Sequence, residues 1–451
     1  MMKNKLISVA LTSALSAVTF LGGFGVSTEA KTLDQNYLVV FKSENQLPQN
    51  YLDVIKNSGG EVKQSLPKLG AVKVSSDNPE FLAEIQKSNA VLDAGTENIV
   101  YPDTPVEKIT LQENLTPTEA NDLYNTYQWD IKQVTNNGAS WNLEGGTGKS
   151  TNGEDIVVAV VDTGIDYTHP DLKDNYAYGK SFVPGIESAM DEDGHGTHVA
   201  GSIAGNGRVL GIGPELKVAA YRVFGPTGGA YTSDIANALM TAADDNVDVV
   251  NMSLGGYDWF QNPDYATKDI VADVRLFNRA IQYAIKQGVT VVGSAGNAGV
   301  DITSPGKLSG DDKGAVHRSP SSQTLIRVAA SGEELNRTWY SNYGVGKIDV
   351  IAPGGDYGTK WLETGDGADR EINKLCLSTI PGGGYAYYAG TSMAAPKTAG
   401  LAGVIIAKYG KDVLSPAQVK HIIQSSSDDW FKPGYDGESG FGFINAVNAL
   451  D

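Results

Sequence analysis

The stretch IVVAVVDTG, residues 156–164, is an unbroken apolar run, rich in β-branched side chains, that ends at a carboxylate. Such a run predicts a strand buried on both faces and followed by a turn. Comparable runs recur along the chain, together with stretches of helical periodicity. This alternation predicts an α/β fold with a mostly parallel central sheet covered by helices on both sides. The other predicted strands are 217–223, 247–250, 289–292 and 325–329, and the predicted helices are 233–244, 271–287 and 391–409.

Three polar segments lie where parallel sheets place their functional groups, at the carboxyl ends of strands and the starts of helices. A serine hydroxyl becomes a strong nucleophile when an imidazole takes its proton, and that imidazole needs a carboxylate to fix its tautomer. Asp162 or Ser392 alone could equally cap a helix, but the three segments together supply one residue of each kind. They are VVDTGID (160–166, with Asp162), DGHGTHVAG (193–201, with His195) and GTSMAAP (390–396, with Ser392).

In the order Asp, His, Ser, these segments resemble the three signatures of the subtilisin-like serine proteases, over about residues 127–451. The resemblance implies a subtilisin-like three-layer fold and an endopeptidase that cuts peptide bonds through an acyl-enzyme. It also implies that Asp162 orients the imidazole, that His195 is general base and then general acid, and that Ser392 attacks the carbonyl. A non-catalytic secreted binding protein is a remote alternative, because no part of the triad is broken.

The same resemblance assigns residues around the bond to be cut. SAGNAG, residues 294–299, is similar to the family segment that donates a side-chain hydrogen bond to the oxyanion, which implies this role for Asn297. Residues 253–256 resemble the edge strand to which an extended substrate adds as a β-strand. The implied substrate-binding residues are Ser253, Leu254, Gly255, Gly256, Ala295, Gly296 and His317.

Two preferences remain open for the side chain before the cut. His317 or Arg318 at the pocket floor would favour an acidic side chain. Glu97 is then a candidate self-cleavage residue, because it lies near the end of the N-terminal unit. An acidic floor would favour arginine instead, and the residues that could supply it are Asp301, Asp311 and Asp312.

Composition divides the chain into four parts. Residues 1–30 are typical of an export signal, in which Lys3 and Lys5 precede an apolar stretch that ends in small residues. Residues 31–101 resemble the family's propeptide, although an unrelated small domain is the alternative. Residues 102–126 predict a linker, and 127–451 the peptidase domain. Within 31–101 the predicted strands are 37–41 and 70–74, and the predicted helices are 49–58 and 78–88.

The formal net charge of −18 comes from 53 acidic and 35 basic residues. Such a charge disfavours nucleic acids and anionic membranes as partners, because both require a basic face. The one cysteine, Cys376, lies in an apolar run and predicts a buried thiol. We therefore expect a secreted, extracellular monomer whose partners are an extended peptide or protein substrate and its own propeptide.

The resemblance requires no cofactor, although a structural calcium ion is possible. Asp171 stands where the family has one calcium ligand, but the loop 205–210 is shorter than the family's strong calcium loop. No carboxylate or cysteine with zinc-site spacing accompanies His195 and His198. We therefore expect His198 to be a packing residue.

Two further features point to a branch of the family. Lys397 follows Pro396 where many secreted scavenging members have histidine, and YQWD occupies residues 127–130. Together these features resemble the proteases that remove leader peptides from lanthipeptide precursors. The alternative is a broad-specificity nutritional protease, which would need an open apolar pocket.

Overall fold

A computed structural model describes residues 35–102, 105–111, 120–226, 228–254, 259–261, 270–303, 316–318 and 325–451, with backbone only at 259–261 and 316–318. The predicted export signal lies outside these residues. Numbered along the chain, the strands are β1 Gln35–Phe41, β2 Glu61–Leu66, β3 Ala71–Ser76, β4 Val91–Thr96, β5 Ile99–Val100, β6 Glu107–Thr110, β7 Val157–Asp162, β8 Tyr176–Ser181, β9 Lys217–Arg222, β10 Ala230–Tyr231, β11 Val249–Met252, β12 Trp259–Gln261, β13 Thr290–Ser294, β14 Val316–Arg318, β15 Ile326–Ser331, β16 Val350–Pro353, β17 Cys376–Ile380 and β18 Gly384–Ala389. The helices are α1 Tyr51–Asn57, α2 Phe81–Ile85, α3 Asp122–Tyr127, α4 Trp129–Thr135, α5 His195–Ala204, α6 Thr232–Asp244, α7 Ile270–Lys286, α8 Thr359–Thr364, α9 Thr391–Tyr409, α10 Pro416–Ser426 and α11 Ala446–Leu450.

The centre of the molecule is a seven-stranded sheet with the order β16-β15-β13-β11-β7-β9-β8. All six neighbouring pairs are parallel, which confirms the predicted fold class. The five predicted strands all lie in this sheet. The sequence did not reveal β8 or β16. β8 lies at the sheet edge, where its side chains are partly exposed and partly polar, so it lacks the continuous apolar run that identified the other strands.

Alternate residues of the central strand β7 point to opposite faces of the sheet. Val158 and Val160 enter one apolar core together with residues of α5 and α9. Ala159 and Val161 enter a second core together with residues of α6 and α7. Because successive side chains of a strand point to opposite faces, a strand that is apolar at every position must be buried on both faces. β7 therefore lies between two helical layers.

The N-terminal unit is a four-stranded antiparallel sheet with the order β2-β3-β1-β4, covered on one face by α1 and α2. Its other face enters the same core as α6 and α7, through residues that include Leu38 and Val40. The sequence did not reveal β2 and β4, and α2 is shorter than the predicted helix. The small α+β unit therefore packs against the helices on one side of the central sheet.

The stretch that the sequence predicts to be a linker contains regular structure. β6 pairs with β18, and α3 spans the predicted boundary at residue 127. Only half of the β6 side chains are substantially exposed, which is the pattern of a strand with one covered face. The prediction was wrong here because prolines and polar residues are also compatible with a short strand on a sheet edge.

In the residues that the model describes, no helix is both long enough and apolar enough to cross a membrane.

Candidate active site

The three predicted catalytic residues lie at the carboxyl edge of the central sheet. Asp162 ends β7, His195 begins α5, and Ser392 is the second residue of α9. All three side chains are buried. His195 Nδ1 lies 2.7 Å from Asp162 Oδ1, the contact that the imidazole–carboxylate part of the motif predicts.

The electrostatics of this pair favour a proton on Nδ1. Burial alone would lower the pKa of His195, but the charge and hydrogen bond of Asp162 together raise it above its ordinary value. The buried His195 Nε2 has no hydrogen-bond partner among the described residues. An imidazole protonated on Nδ1 therefore offers Nε2 as a proton acceptor.

The start of α9 is held by side chains from outside the helix. Pro396 has no N–H, so the Ser392 carbonyl cannot accept the usual helical hydrogen bond from residue 396. The Ser253 hydroxyl donates to this carbonyl instead, at 2.9 Å. Asn251 Nδ2 in turn donates to Ser253 Oγ, also at 2.9 Å. Ser253, predicted to bind substrate, thus has a side chain that contacts the backbone of Ser392.

Asn297 follows β13 and faces the same helix start. Its Oδ1 accepts hydrogen bonds from the backbone N–H and the hydroxyl of Thr391, both at 2.9 Å. A Cβ on Gly390 would lie 3.2 Å from Asn297 Nδ2 and 3.5 Å from Ser392 Oγ. The amide nitrogen and the hydroxyl therefore border one small space, which a side chain at residue 390 would fill.

The predicted substrate-binding residues are only partly described. Gly255 and Gly256 lie outside the described residues, and for His317 the structure gives only its backbone pairing with Phe260 in the β12–β14 ladder. Gly296 has φ +97°, and a Cβ there would lie 2.6 Å from Asn342 Nδ2.

Asn342 and Asn251 are two site residues that the sequence did not reveal. The Asn342 amide donates to Ala295 O at 2.9 Å and so fixes this wall of the site. Asn251 supports Ser392 through Ser253. Neither residue belongs to a motif quoted above, although Asn251 lies two positions before the predicted substrate-binding segment 253–256.

The chain's own N-terminal segment crosses the site. β5 pairs antiparallel with β10, and Pro102 forms an antiparallel bridge with Leu254. The Pro105 Cα lies 3.6 Å from the position of a Cβ on Gly390, and the Val106 N–H donates to Ala389 O at 2.7 Å. The described backbone therefore lies beside the site at Pro102 and again at Pro105 and Val106.

This path contradicts Glu97 as the residue before a self-cleavage bond. The Glu97 N–H donates to Asn36 O in the N-terminal unit. Its buried carboxylate accepts from the Ser233 N–H at 2.9 Å and lies 3.1 Å from Lys73 Nζ. Glu97 thus anchors the N-terminal unit to α6, upstream of Pro102 and Pro105, which lie beside the site.

The surroundings of Asp171 do not fit a calcium ion. Asp171 Oδ2 accepts hydrogen bonds from the Val209 N–H at 2.9 Å and from the Tyr385 hydroxyl at 3.0 Å. These donors occupy an oxygen that a cation would need. Among the described residues, no group of three or more histidine, cysteine or acidic side chains could hold a metal ion. Hydrogen bonds from the Val209 N–H and the Tyr385 hydroxyl thus hold Asp171 beside this short loop.

His198 and Cys376 are packing residues, as the sequence predicts. The His198 ring stacks on Tyr388, with ring centroids 4.3 Å apart, and its Nε2 lies 3.1 Å from two backbone carbonyl oxygens. Burial, followed by the charge of Lys397, lowers the pKa of His198 well below its ordinary value. Cys376 is fully buried, and burial raises the pKa of its thiol.

A buried imidazole–carboxylate pair, together with a buried serine at the start of a helix, is the combination that a serine hydrolase uses. Residues 153–442 match the model of the subtilase family, peptidase family S8. The chain therefore belongs to the subtilase family and is a subtilisin-like serine protease.

Similarity to individual proteins extends over most of the chain. A thermophilic serine proteinase from Bacillus sp. (strain AK1) is 31% identical over 72% of this chain, which spans 65% of that protein, just under two thirds. The epidermin leader peptide-processing serine protease EpiP of Staphylococcus epidermidis is 30% identical over 82% of this chain and 84% of that protein. The crystal structure of EpiP from Staphylococcus aureus matches with a TM-score of 0.75 and 25% identity, over 93% of this chain and 98% of that one.

Proposed function

We propose that the chain is a secreted serine endopeptidase, made as a precursor, in which Asp162, His195 and Ser392 form the catalytic triad. The observation that carries this proposal is the 2.7 Å contact between His195 Nδ1 and Asp162 Oδ1. It orients the imidazole at the sheet edge where α9 starts and beside which Pro102 and Pro105 lie. In this geometry the Asp162 side chain stabilises the imidazolium that forms during the reaction.

The proposed reaction is acyl transfer in two steps. Ser392 Oγ attacks the peptide carbonyl carbon as its proton passes to His195 Nε2, and the imidazolium then protonates the departing amine. A water that loses its proton to the same Nε2 hydrolyses the acyl-enzyme. The Ser392 N–H and the Asn297 amide would bind the oxyanion of both tetrahedral intermediates.

The precursor is proposed to be its own first substrate. The Pro102–Leu254 bridge and the approach of Pro105 to Gly390 support a self-cleavage bond within residues 102–105. Within this segment Asp103 is the one acidic residue. A pocket that prefers acidic side chains would therefore cut after Asp103 and leave Thr104 as the new N-terminus. Residues 31–101 would then be almost the whole of the released inhibitory propeptide.

Leader peptides of lanthipeptide precursors are the proposed substrates. Support comes from the similarity to EpiP over more than four fifths of both chains and from the combination of YQWD with Lys397 in the sequence. The alternative is broad extracellular proteolysis, which the similarity to the Bacillus proteinase also fits. A dedicated processing enzyme should cut few sites in casein, whereas a nutritional protease should degrade it throughout.

The test begins with the precursor expressed from Lys31 and followed by intact mass. Wild type and the exposed-site control Ser425→Ala should both release a propeptide that ends within residues 102–104, whereas Ser392→Ala should stay full length. If Ser392→Ala is processed as well, another protease matures the chain and self-cleavage is wrong. If neither wild type nor control cuts itself or any peptide in a library, the proposed function is wrong.

A further inference from the structure

The strand β18 runs directly into the residues that carry the candidate nucleophile, with β17 along one of its edges and β6 along the other. Its last residue, Ala389, precedes Ser392 by three positions. β6 adds to this edge as an antiparallel strand in which Glu107 lies opposite Ala389 and Thr110 opposite Ala386. The ladder is extended at both ends, because the Val106 N–H donates to Ala389 O at 2.7 Å and the Leu111 N–H to Tyr385 O at 2.9 Å. Backbone hydrogen bonds of this kind accept any extended chain.

The first side chain of β6 meets a matching site. Glu107 Oε2 accepts a hydrogen bond from the buried Tyr357 hydroxyl at 3.1 Å and lies 3.4 Å from Arg370 Nη1. The Arg370 guanidinium lies over the Tyr357 ring, 4.4 Å from its centroid, which fixes the two donors relative to each other.

The next side chain of β6, Lys108, pairs with an acidic residue. Lys108 Nζ lies 3.1 Å from Asp193 Oδ1, two residues before His195. The segment thus presents an acidic and then a basic residue to complementary groups on the enzyme body. Charge complementarity of this kind selects a register and a partner rather than simply adding affinity.

We infer that the β18 edge, together with Tyr357 and Arg370, is a binding site for the part of a substrate that follows the cut, and that it takes a carboxylate side chain. In the precursor, residues 106–111 of the chain itself fill the site. After processing, the same edge would receive an extended peptide with glutamate or aspartate where Glu107 lies. The inference rests on the proposed function, because it needs the cut to fall within residues 102–105.

The first experiment uses the self-processed enzyme and internally quenched peptides that span residues 98–111. Replacing the glutamate that corresponds to Glu107 by lysine should lower kcat/KM about fivefold, mainly through KM. The effect is modest because Arg370 is partly exposed. The variant Arg370→Glu should invert the preference. The matched control is Lys360→Glu, which changes the charge equally at a neighbouring residue that pairs with Asp369, and it should keep the wild-type preference.

The dependence of KM on peptide length is a second test of this site. Peptides that end at the position of Pro105 should have a higher KM than those that continue to position 111. Equal kcat/KM values for glutamate and lysine peptides, or no effect of length, would overturn the inference while leaving the proposed function intact. An absence of any length effect would mean that residues 106–111 of the mature chain stay paired with β18.

A third experiment does not depend on catalysis. In the Ser392→Ala precursor, Glu107→Lys should expose the segment to added chymotrypsin, and the double charge swap with Arg370→Glu should protect it again. Failure of the swap to restore protection would contradict the site even if the enzyme cut no peptide at all.

Discussion

Replacing Lys397 by methionine should destabilise the peptidase domain by about 3–5 kcal/mol. Lys397 and Asp130 are both buried, and Lys397 Nζ lies 2.8 Å from Asp130 Oδ2 and 2.9 Å from Met393 O. Burial alone would lower the pKa of Lys397, but the Asp130 charge raises it above its ordinary value, so the pair is ionic. Lys397→Met would leave the buried Asp130 side chain without its cationic partner, and the cost of leaving that group unpaired sets the magnitude.

The assay is urea unfolding of precursors that carry Ser392→Ala, which prevents autolysis. The double variant Lys397→Met/Asp130→Leu should recover most of the loss, since an apolar pair of similar volume replaces both charges. Lys411→Met, which breaks a more exposed pair with Asp248 beyond the far end of α9, should cost less. A loss below about 1 kcal/mol for Lys397→Met, or a double variant as unstable as the single one, would refute this reasoning.

Three further predictions concern activity and maturation. Asn297→Ala should lower kcat about 10²–10³-fold with little change in KM in a peptide assay, a magnitude measured in a subtilisin of the same family, and an unchanged kcat would exclude Asn297 as an oxyanion donor. Below the raised pKa of His195, kcat/KM should fall about tenfold per pH unit, because only the neutral imidazole accepts a proton; a flat acid limb would contradict its role as base. Burial raises the pKa of Asp234 to about 6 and of Asp273 to about 7 in the assembled precursor. If release of the propeptide returns both carboxyls to water, docking takes up protons, so its stability is full below about pH 4 and is lost as the pH rises through those values. Size-exclusion chromatography of the processed complex should then show more free propeptide at about pH 8 than at about pH 5, and the opposite order would refute the linkage.

The family, the central sheet and the contact between Asp162 and His195 were the most predictable features of the molecule. Asp162, His195 and Ser392 each stand in a contiguous motif, and strands such as β7 are apolar at every position because they are buried on both faces. Local sequence therefore carries both signals. The structure brings Asp162 and His195 into contact as predicted, and it places Ser392 at the start of α9.

What the sequence did not reveal depends on pairing between distant residues. β6 and β18 are separated by more than two hundred residues, so the sequence around Glu107 does not indicate that these two strands pair. It also does not indicate that the Glu107 carboxylate forms an ion pair with Arg370. Glu97 was a reasonable cleavage candidate by position, yet its carboxylate bonds to Ser233 in α6. Asp171 matched a calcium ligand by position alone, whereas its hydrogen bonds come from a neighbouring loop and from β18.

The start of the nucleophile helix shows why such distant partners matter for catalysis. Pro396 removes the N–H that would bond to the Ser392 carbonyl, so the first turn of α9 cannot be fixed by helical hydrogen bonds alone. Ser253, from the end of β11, bonds to that carbonyl, and the Lys397 ammonium bonds to the next one, at Met393, while it pairs with Asp130 of α4. Ser392, the proposed nucleophile, is therefore held by the sheet edge and by a helix near the start of the peptidase domain. Because these contacts are buried and directional, loss of either should move Ser392 relative to His195 and lower kcat more than it raises KM.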